Sequence, residues 1–158
     1  MPESALKKAM DLLAARPLTE SELRTRLSAG GKFPPPEVEE ALRCCRNRGY
    51  LNDALLASDA AKYLNAEGRG RGLIRRKLRA RGVSEEHLSA ALSDLSPEDE
   101  ANAARSAGMT KLRLLGREKD ARKKKEKLFR FLLSRGFSPE TALNVMTDLL
   151  GETPEDAP

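Results

Sequence analysis

The residues suited to acid–base or nucleophilic chemistry are few and poorly placed for it. The chain has one histidine, His87, and its two cysteines, Cys44 and Cys45, are adjacent. These residues therefore give little support for a catalytic Cys–His pair of the usual arrangement or for a metal site built from several histidines. The acids Glu98 to Glu100 follow a Ser-Pro pair at a predicted helix start, where they complement the positive end of the helix. We predict no enzyme, no cofactor and no metal site.

The glycine-rich stretch GRGRG, residues 68–72, is a second candidate, because such loops can cradle a phosphate. Gly68, Gly70 and Gly72 do not have the G-x-G-x-x-G spacing of dinucleotide-binding loops. No buried apolar strand precedes them, and a Walker loop would end in Gly-Lys-Ser or Gly-Lys-Thr. We therefore predict a flexible connection between two helices at this point.

Basic side chains are the most informative functional signal. The net charge is +5, and the acidic tail from Gly151 to Pro158 holds three acids and no base, so the rest of the chain carries +8. Residues 110–130 alone contain ten bases and three acids. We predict a basic binding face made of Arg71, Arg75, Arg76, Arg79, Lys111, Arg113, Lys123, Lys124, Lys125 and Arg130. Such a face suits an acidic protein groove or exposed phosphates.

Three segments repeat one short pattern at intervals of 51 and 54 residues, which suggests a repeat protein. They are ELRTRLSAGG (residues 22–31), LIRRKLRARG (73–82) and KLFRFLLSRG (127–136). Each has two apolar residues four positions apart on one helix face, and a glycine follows four positions later. Glycine at that point is typical of a helix end in the left-handed conformation. The pattern indicates the second helix of a three-helix repeat.

An amphipathic helix precedes each pattern and another follows it. The following helices have apolar pairs at i and i+4, which are Val38 and Leu42, Leu88 and Leu92, and Ala142 and Met146. Thr19 with Glu22, Ser84, Ser96 and Ser138 are the predicted helix caps. The predicted fold is all-α, with three tandem three-helix repeats, similar to helix-turn-helix bundles, in an elongated arrangement that can curve. The predicted ranges are 1–52, 53–96 and 97–150 for the repeats and 151–158 for a flexible acidic tail.

Composition supports an open helical shape, since 39% of the residues are hydrophobic and 34% are charged. No apolar run approaches the roughly 18 residues needed to span a bilayer, and no signal peptide precedes the first helix. We therefore expect a cytoplasmic protein. In the repeats, we expect Tyr50 and Phe137 in the core, and Leu55 and Tyr63 on the apolar face of their helix.

Three segments together resemble the RecX family of bacterial regulatory proteins. They are GYLND (residues 49–53), GRGRGLIRRKLRARGVS (68–84) and KLFRFLLSRGFS (127–138), in this order and spacing. The resemblance extends over essentially the whole chain before the tail. It implies tandem three-helix repeats that bind along the groove of the RecA–DNA filament and restrain its ATPase, strand-exchange and coprotease activities. Asn52 replaces a usual acid and Leu56 a common Phe, which we interpret as local capping and packing changes.

The partner that the resemblance implies is the RecA nucleoprotein filament, and we expect a monomer with no membrane partner. In one mechanism the basic face docks on RecA protomers and bridges successive filament turns. In the other, it binds phosphates of single- or double-stranded DNA and blocks entry of a second strand. We expect docking on RecA to dominate and binding to DNA phosphates to assist.

Two other classes of function stay open from the residues alone. A helix-turn-helix transcription regulator would use the helix after Gly82 to read DNA, yet SEEHLSAALSDL contains three acids and no base. A helical adaptor for an unrelated acidic partner is also compatible with the composition.

Overall fold

The computed structural model describes residues 3–151, which form nine α-helices, one short 3-10 turn and no strand. The helices are α1 (Ala5–Ala15), α2 (Glu20–Ser28), α3 (Pro35–Asn47), α4 (Asp53–Ala66), α5 (Arg71–Ala80), α6 (Glu85–Ser93), α7 (Pro97–Leu114), α8 (Ala121–Ser134) and α9 (Pro139–Leu150). The all-α prediction is confirmed, and three helices fall within each predicted repeat range. In this described part, no helix combines the length and apolarity that crossing a membrane requires.

The apolar pairs found in the sequence are buried. In the second helices, Leu23, Leu27, Ile74, Leu78, Leu128 and Leu132 are each at most 1% exposed. The pairs of the third helices, from Val38 and Leu42 to Ala142 and Met146, are at most 4% exposed. Burying one such large apolar side chain stabilises a fold by roughly 1.5–3 kcal/mol, so these pairs account for the helices packing on these faces.

The predicted helix caps form as expected. The Thr19 hydroxyl accepts a hydrogen bond from the Glu22 N–H at 3.0 Å, and the Glu22 carboxylate accepts one from the Thr19 N–H at 2.9 Å. Ser96 caps α7 and Ser138 caps α9 through the same hydroxyl-to-backbone contact. The three repeat glycines, Gly31, Gly82 and Gly136, have φ of +64°, +86° and +91°. The local start and stop signals thus fix the helix boundaries.

Contacts divide the described residues into two compact units. The first contains residues 3–59 and 78–91, and the second contains 60–77 and 92–151. In the first unit, α1, α2 and α3 pack around a core that includes Leu42. In the second, α7, α8 and α9 pack around a core that includes Leu132 and Phe137. The burial of Phe137 confirms the prediction for that residue.

The glycine-rich stretch docks onto the turn between α8 and α9, so the prediction of a flexible connection is wrong. The Gly70 N–H donates to the Arg135 carbonyl at 2.7 Å, and the Gly72 N–H donates to the Gly136 carbonyl at 3.0 Å. A Cβ on Gly70 would lie 2.6 Å from the carbonyl carbon of Gly136. The glycines therefore allow two backbones of the second unit to touch, a contact that no local pattern reveals.

A second junction forms within the first unit, where the turn after α5 meets the start of α2. The Thr19 hydroxyl donates to the Arg81 carbonyl at 2.6 Å. The Arg81 guanidinium donates to both carboxylate oxygens of Glu22, at 2.9 and 3.1 Å. A Cβ on Gly82 would lie 2.4 Å from the Cβ of Ser21, so this turn also needs glycine.

Three large apolar side chains are more exposed than the sequence suggested. Tyr50, Leu55 and Tyr63 are 51%, 57% and 65% exposed, so their predicted burial is wrong. Helix α4 buries Ala57 and Ala61 instead, which lie four residues apart. Leu55 and Tyr63 each lie two positions from one of these alanines, which places them on another side of the helix.

Candidate basic interface

The arginines of α5 lie off the buried face of that helix. Arg76 and Arg79 are exposed, and Arg75 is half-buried at the flank of the buried Ile74–Leu78 pair. Arg79 forms an ion pair with Glu85, with 2.8 Å between Nε and Oε1. Such an exposed pair contributes about 1 kcal/mol at most, so the guanidinium of Arg79 stays available to a partner.

Arg71 is used inside the second unit. Its Nη1 donates to the Leu92 carbonyl at 2.8 Å, and its Nη2 donates to the Leu95 carbonyl. Its Nε lies 3.0 Å from the Oε2 of Glu100. The side chain therefore ties the start of α5 to the segment that ends α6, and its role in the predicted binding face stays a prediction.

Glu100 completes this network as a buried carboxylate. It is 8% exposed, accepts a hydrogen bond from the Arg71 N–H at 3.3 Å, and lies 3.5 Å from the Nδ2 of Asn65. Burial raises the pKa of Glu100 above its ordinary value, and the hydrogen bonds and charge of Arg71 offset part of that rise. The sequence indicated only a helix-end acid, because the burial of this position depends on the approach of a distant loop.

Arg71→Ala should destabilise the protein, whereas Arg76→Ala should not. The first change leaves the buried carboxylate of Glu100 without its cation, and we expect the free energy of unfolding to fall by about 2 kcal/mol. Breaking a fully buried pair would cost more, but Arg71 is partly exposed. The second change affects an exposed helix position, where the effect should stay within about 0.5 kcal/mol. Urea unfolding of both variants measures the difference.

The pH dependence of the Arg71→Ala loss has a definite sign. The raised pKa means that Glu100 binds a proton more readily when folded than when unfolded, so its cost to stability grows as the pH rises above 4.5. Removing Arg71 enlarges that cost. The loss of stability in Arg71→Ala should therefore be greatest at neutral pH and shrink under mildly acidic conditions. Equal stability of Arg71→Ala and Arg76→Ala at neutral pH would contradict the role given to Arg71.

Two cations of the second unit lie beside the aromatic ring of Phe131. The Lys111 Nζ and the Arg135 Cζ each lie 5.2 Å from the ring centroid, at distances suited to cation–π attraction. Lys111 is half-buried as a result, whereas Arg113 is exposed at the end of α7. The ring thus holds two cations on the surface of the second unit.

Helix α8 divides its basic residues between two surfaces. Lys123 and Arg130 are exposed on the side away from the buried Leu128 and Leu132. Lys124 and Lys125 are half-buried on the flanks of the core face. The predicted residues of this helix therefore do not form one continuous face, and Lys123 with Arg130 make its outward part.

Two further lysines are exposed on the helices that carry the predicted basic binding face. Lys127 lies one turn after Lys123 and pairs with Glu118 at 2.8 Å. Lys77 is exposed on α5. The helical period of the sequence places Lys127 on the outer face of α8, so this residue could have been selected by its spacing from Lys123.

Family models match both ends of the chain. Residues 5–43 match the RecX first three-helix domain, and residues 98–146 match the RecX third three-helix domain. The matched residues lie within the ranges 1–52 and 97–150, and the exact repeat boundaries stay a prediction.

Curated relatives are similar along most of the chain. A regulatory protein RecX from Chromohalobacter salexigens is 35% identical over 138 residues, which cover 87% of this chain and 88% of the relative. One from Vibrio vulnificus is 31% identical over 140 residues, covering 89% of each. The chain spans only 61% of a third relative, from Clostridium perfringens, with 33% identity over 132 residues.

Solved structures share the fold. A crystal structure of regulatory protein RecX has a TM-score of 0.79 and 26% identity, covering 94% of this chain and 70% of that one. A crystal structure of RecX from Lactobacillus salivarius has a TM-score of 0.81 and 18% identity, covering 94% and 96%. The fold and the matches define a regulatory protein built of three-helix domains. The chain belongs to the RecX family.

Proposed function

We propose that this protein binds along the groove of the RecA–DNA filament and restrains ATP hydrolysis, strand exchange and filament-assisted repressor cleavage. Membership of the RecX family supports RecA as the partner. We propose groove binding, this mode of inhibition and action as a monomer together with that partner. The basic helices give a physical reason for attraction to an acidic partner.

The observation that carries the proposal is the arrangement of α5. Its Ile74 and Leu78 are buried, its sequence RGLIRRKLRA contains no acid, and Arg76 and Arg79 extend from the remaining surface. A guanidinium group forms bidentate hydrogen bonds with carboxylates and phosphates. Helix α5 therefore offers exposed guanidinium groups to an acidic partner.

The cations of α8 offer a second point of attachment. Lys123, Lys127 and Arg130 follow one another at intervals of four and three residues, which places them along one side of a helix. Two weak contacts on one protein bind more tightly than either alone, because the second forms at a high effective concentration. A protein attached to more than one RecA protomer would favour one filament state over another.

Salt dependence separates contacts with RecA from contacts with DNA phosphates. If about six phosphates are bound directly, the logarithm of the affinity for single-stranded DNA falls with log salt at a slope near −4. We expect much tighter binding to RecA–DNA filaments than to naked single-stranded DNA, with a shallower slope. Titrating both at several salt concentrations measures this, and equal affinities would contradict filament-specific binding.

The geometry disfavours a transcription regulator that reads DNA with α6. That helix would have to enter a major groove, yet Glu85 and Glu86 occupy its first turn. Acids at the reading end would repel the phosphates on both sides of the groove. Tighter binding to one defined duplex than to random duplex DNA would favour this alternative.

A further inference from the structure

We propose that a pocket on the first unit, at the end of α1 and beside α2, binds a phosphate group of a polynucleotide backbone. The pocket has a volume of about 270 Å³. Its polar lining comes from three separate stretches of chain, and the residues that matter are Arg16, Ser21, Glu22, Thr25, Arg26 and Arg81. None of them belongs to the predicted basic binding face on α5, α7 and α8.

Three guanidinium groups from different elements line the pocket. Arg16 follows the last residue of α1, Arg26 lies in the last turn of α2, and Arg81 follows α5. Arg16 and Arg26 are exposed, and neither side chain has a hydrogen bond or ion pair within residues 3–151. Their charges are therefore not neutralised by the surrounding fold.

The third guanidinium is held in place before any ligand arrives. Arg81 donates to both carboxylate oxygens of Glu22, and its Nη2 lies 3.4 Å from the Pro17 carbonyl. Burial alone would raise the pKa of Glu22, but the hydrogen bonds from Arg81 and Thr19 hold it below its ordinary value. Glu22 thus stays ionised and balances one charge, which leaves an excess of two positive charges around the pocket.

Two hydroxyl groups add neutral donors to the pocket. Ser21 and Thr25 lie one turn apart on α2, are exposed, and have no side-chain hydrogen bond in the described part of the chain. Hydroxyl and guanidinium donors that approach from several directions suit a tetrahedral phosphate better than a flat carboxylate. The close contact of Gly82 with Ser21 keeps the turn carrying Arg81 against α2.

A polynucleotide backbone fits this pocket better than an isolated phosphate. Arg16, Ser21, Thr25 and Arg26 are all exposed, so a continuous strand can pass through the open site. Phosphates elsewhere on the same strand can contact the further cations of this basic chain, which adds affinity that a single phosphate lacks. The proposal does not depend on binding to RecA, and its test contains no RecA.

The test compares two variants that each remove two positive charges. Arg16→Gln with Arg26→Gln changes the pocket, and Lys7→Gln with Arg48→Gln changes exposed cations outside it. The probe is a fluorescent single-stranded oligonucleotide at low salt. We expect the pocket variant to bind about tenfold more weakly and the control less than about threefold. The salt slope of the pocket variant should become shallower by about 0.7, the value for one lost phosphate contact on a single strand.

Amide NMR spectra of the natural chain locate the site directly. Adding the oligonucleotide should shift the amide signals of Ser21, Thr25 and Gly82, and adding inorganic phosphate should shift the same signals more weakly. Equal losses of affinity in the two variants, or oligonucleotide-induced shifts that spare these amides, would overturn the proposal. Shifts with inorganic phosphate alone would also overturn it, because the ligand would then be a free anion. Shifts with a phosphopeptide but not with the oligonucleotide would exclude a polynucleotide.

Discussion

Replacing Arg75, Arg76 and Arg79 together by alanine is expected to weaken inhibition of the RecA ATPase by about tenfold or more. Such a loss corresponds to about 1.4 kcal/mol of contact energy. Alanine is the best helix former, and the buried Ile74 and Leu78 are unchanged, so α5 should keep its structure. The inhibitor concentration for half-maximal ATPase measures the effect, and circular dichroism checks that the helical content is intact.

A charge-matched variant controls for general electrostatics in this experiment. Lys7→Ala, Arg43→Ala and Arg48→Ala also remove three positive charges, from exposed positions of α1, α3 and the end of α3. We expect this variant to inhibit within about threefold of the natural chain, because long-range attraction between exposed charges is largely screened at physiological salt. Unchanged inhibition by the α5 variant would show that the arginines of α5 do not contribute to the interface.

Gly136→Ala is expected to lower the free energy of unfolding by about 3 kcal/mol. The φ of +91° costs a residue with a side chain about 1 kcal/mol, and crowding adds a similar or larger amount. The new Cβ would lie 2.3 Å from the Leu73 nitrogen and 3.0 Å from the Gly70 carbonyl oxygen. These are backbone atoms and cannot move aside cheaply, so the hydrogen bonds between this turn and the glycine-rich stretch should weaken as well.

Gly49→Ala separates the backbone cost from the docking contact. Gly49 has a similar φ of +78°, but a Cβ there would meet nothing within 4 Å. This variant should lose only about 1 kcal/mol. Urea unfolding followed by circular dichroism compares the two, and losses of equal size would show that the docking of Gly136 contributes nothing to stability.

The sequence predicted the features that depend on local spacing. Leu128 and Leu132 lie four residues apart and must share a helix face, so their burial follows from the helical period alone. The capping of α2 by Thr19 and Glu22 is equally local, because donor and acceptor are three residues apart. The number of helices, their order and most of their core were therefore predictable.

Features that depend on distant segments could not be predicted in this way. The Gly70–Gly136 contact joins residues 66 positions apart, and the glycines alone are equally typical of a flexible linker. Arg71 belongs to the same basic stretch as Arg76, yet the burial of Glu100 gives it a structural partner. The pocket beside α2 was missed because Arg16, Arg26 and Arg81 are scattered in the sequence and converge only through the fold.

The most direct test of the central claim is the ATPase rate of RecA–single-stranded DNA filaments at increasing concentrations of this protein. Sedimentation of the same samples shows whether the protein travels with the filament. We predict a saturable fall in ATPase that parallels the amount of bound protein. An ATPase rate that stays unchanged would contradict the claim that this chain restrains the RecA filament.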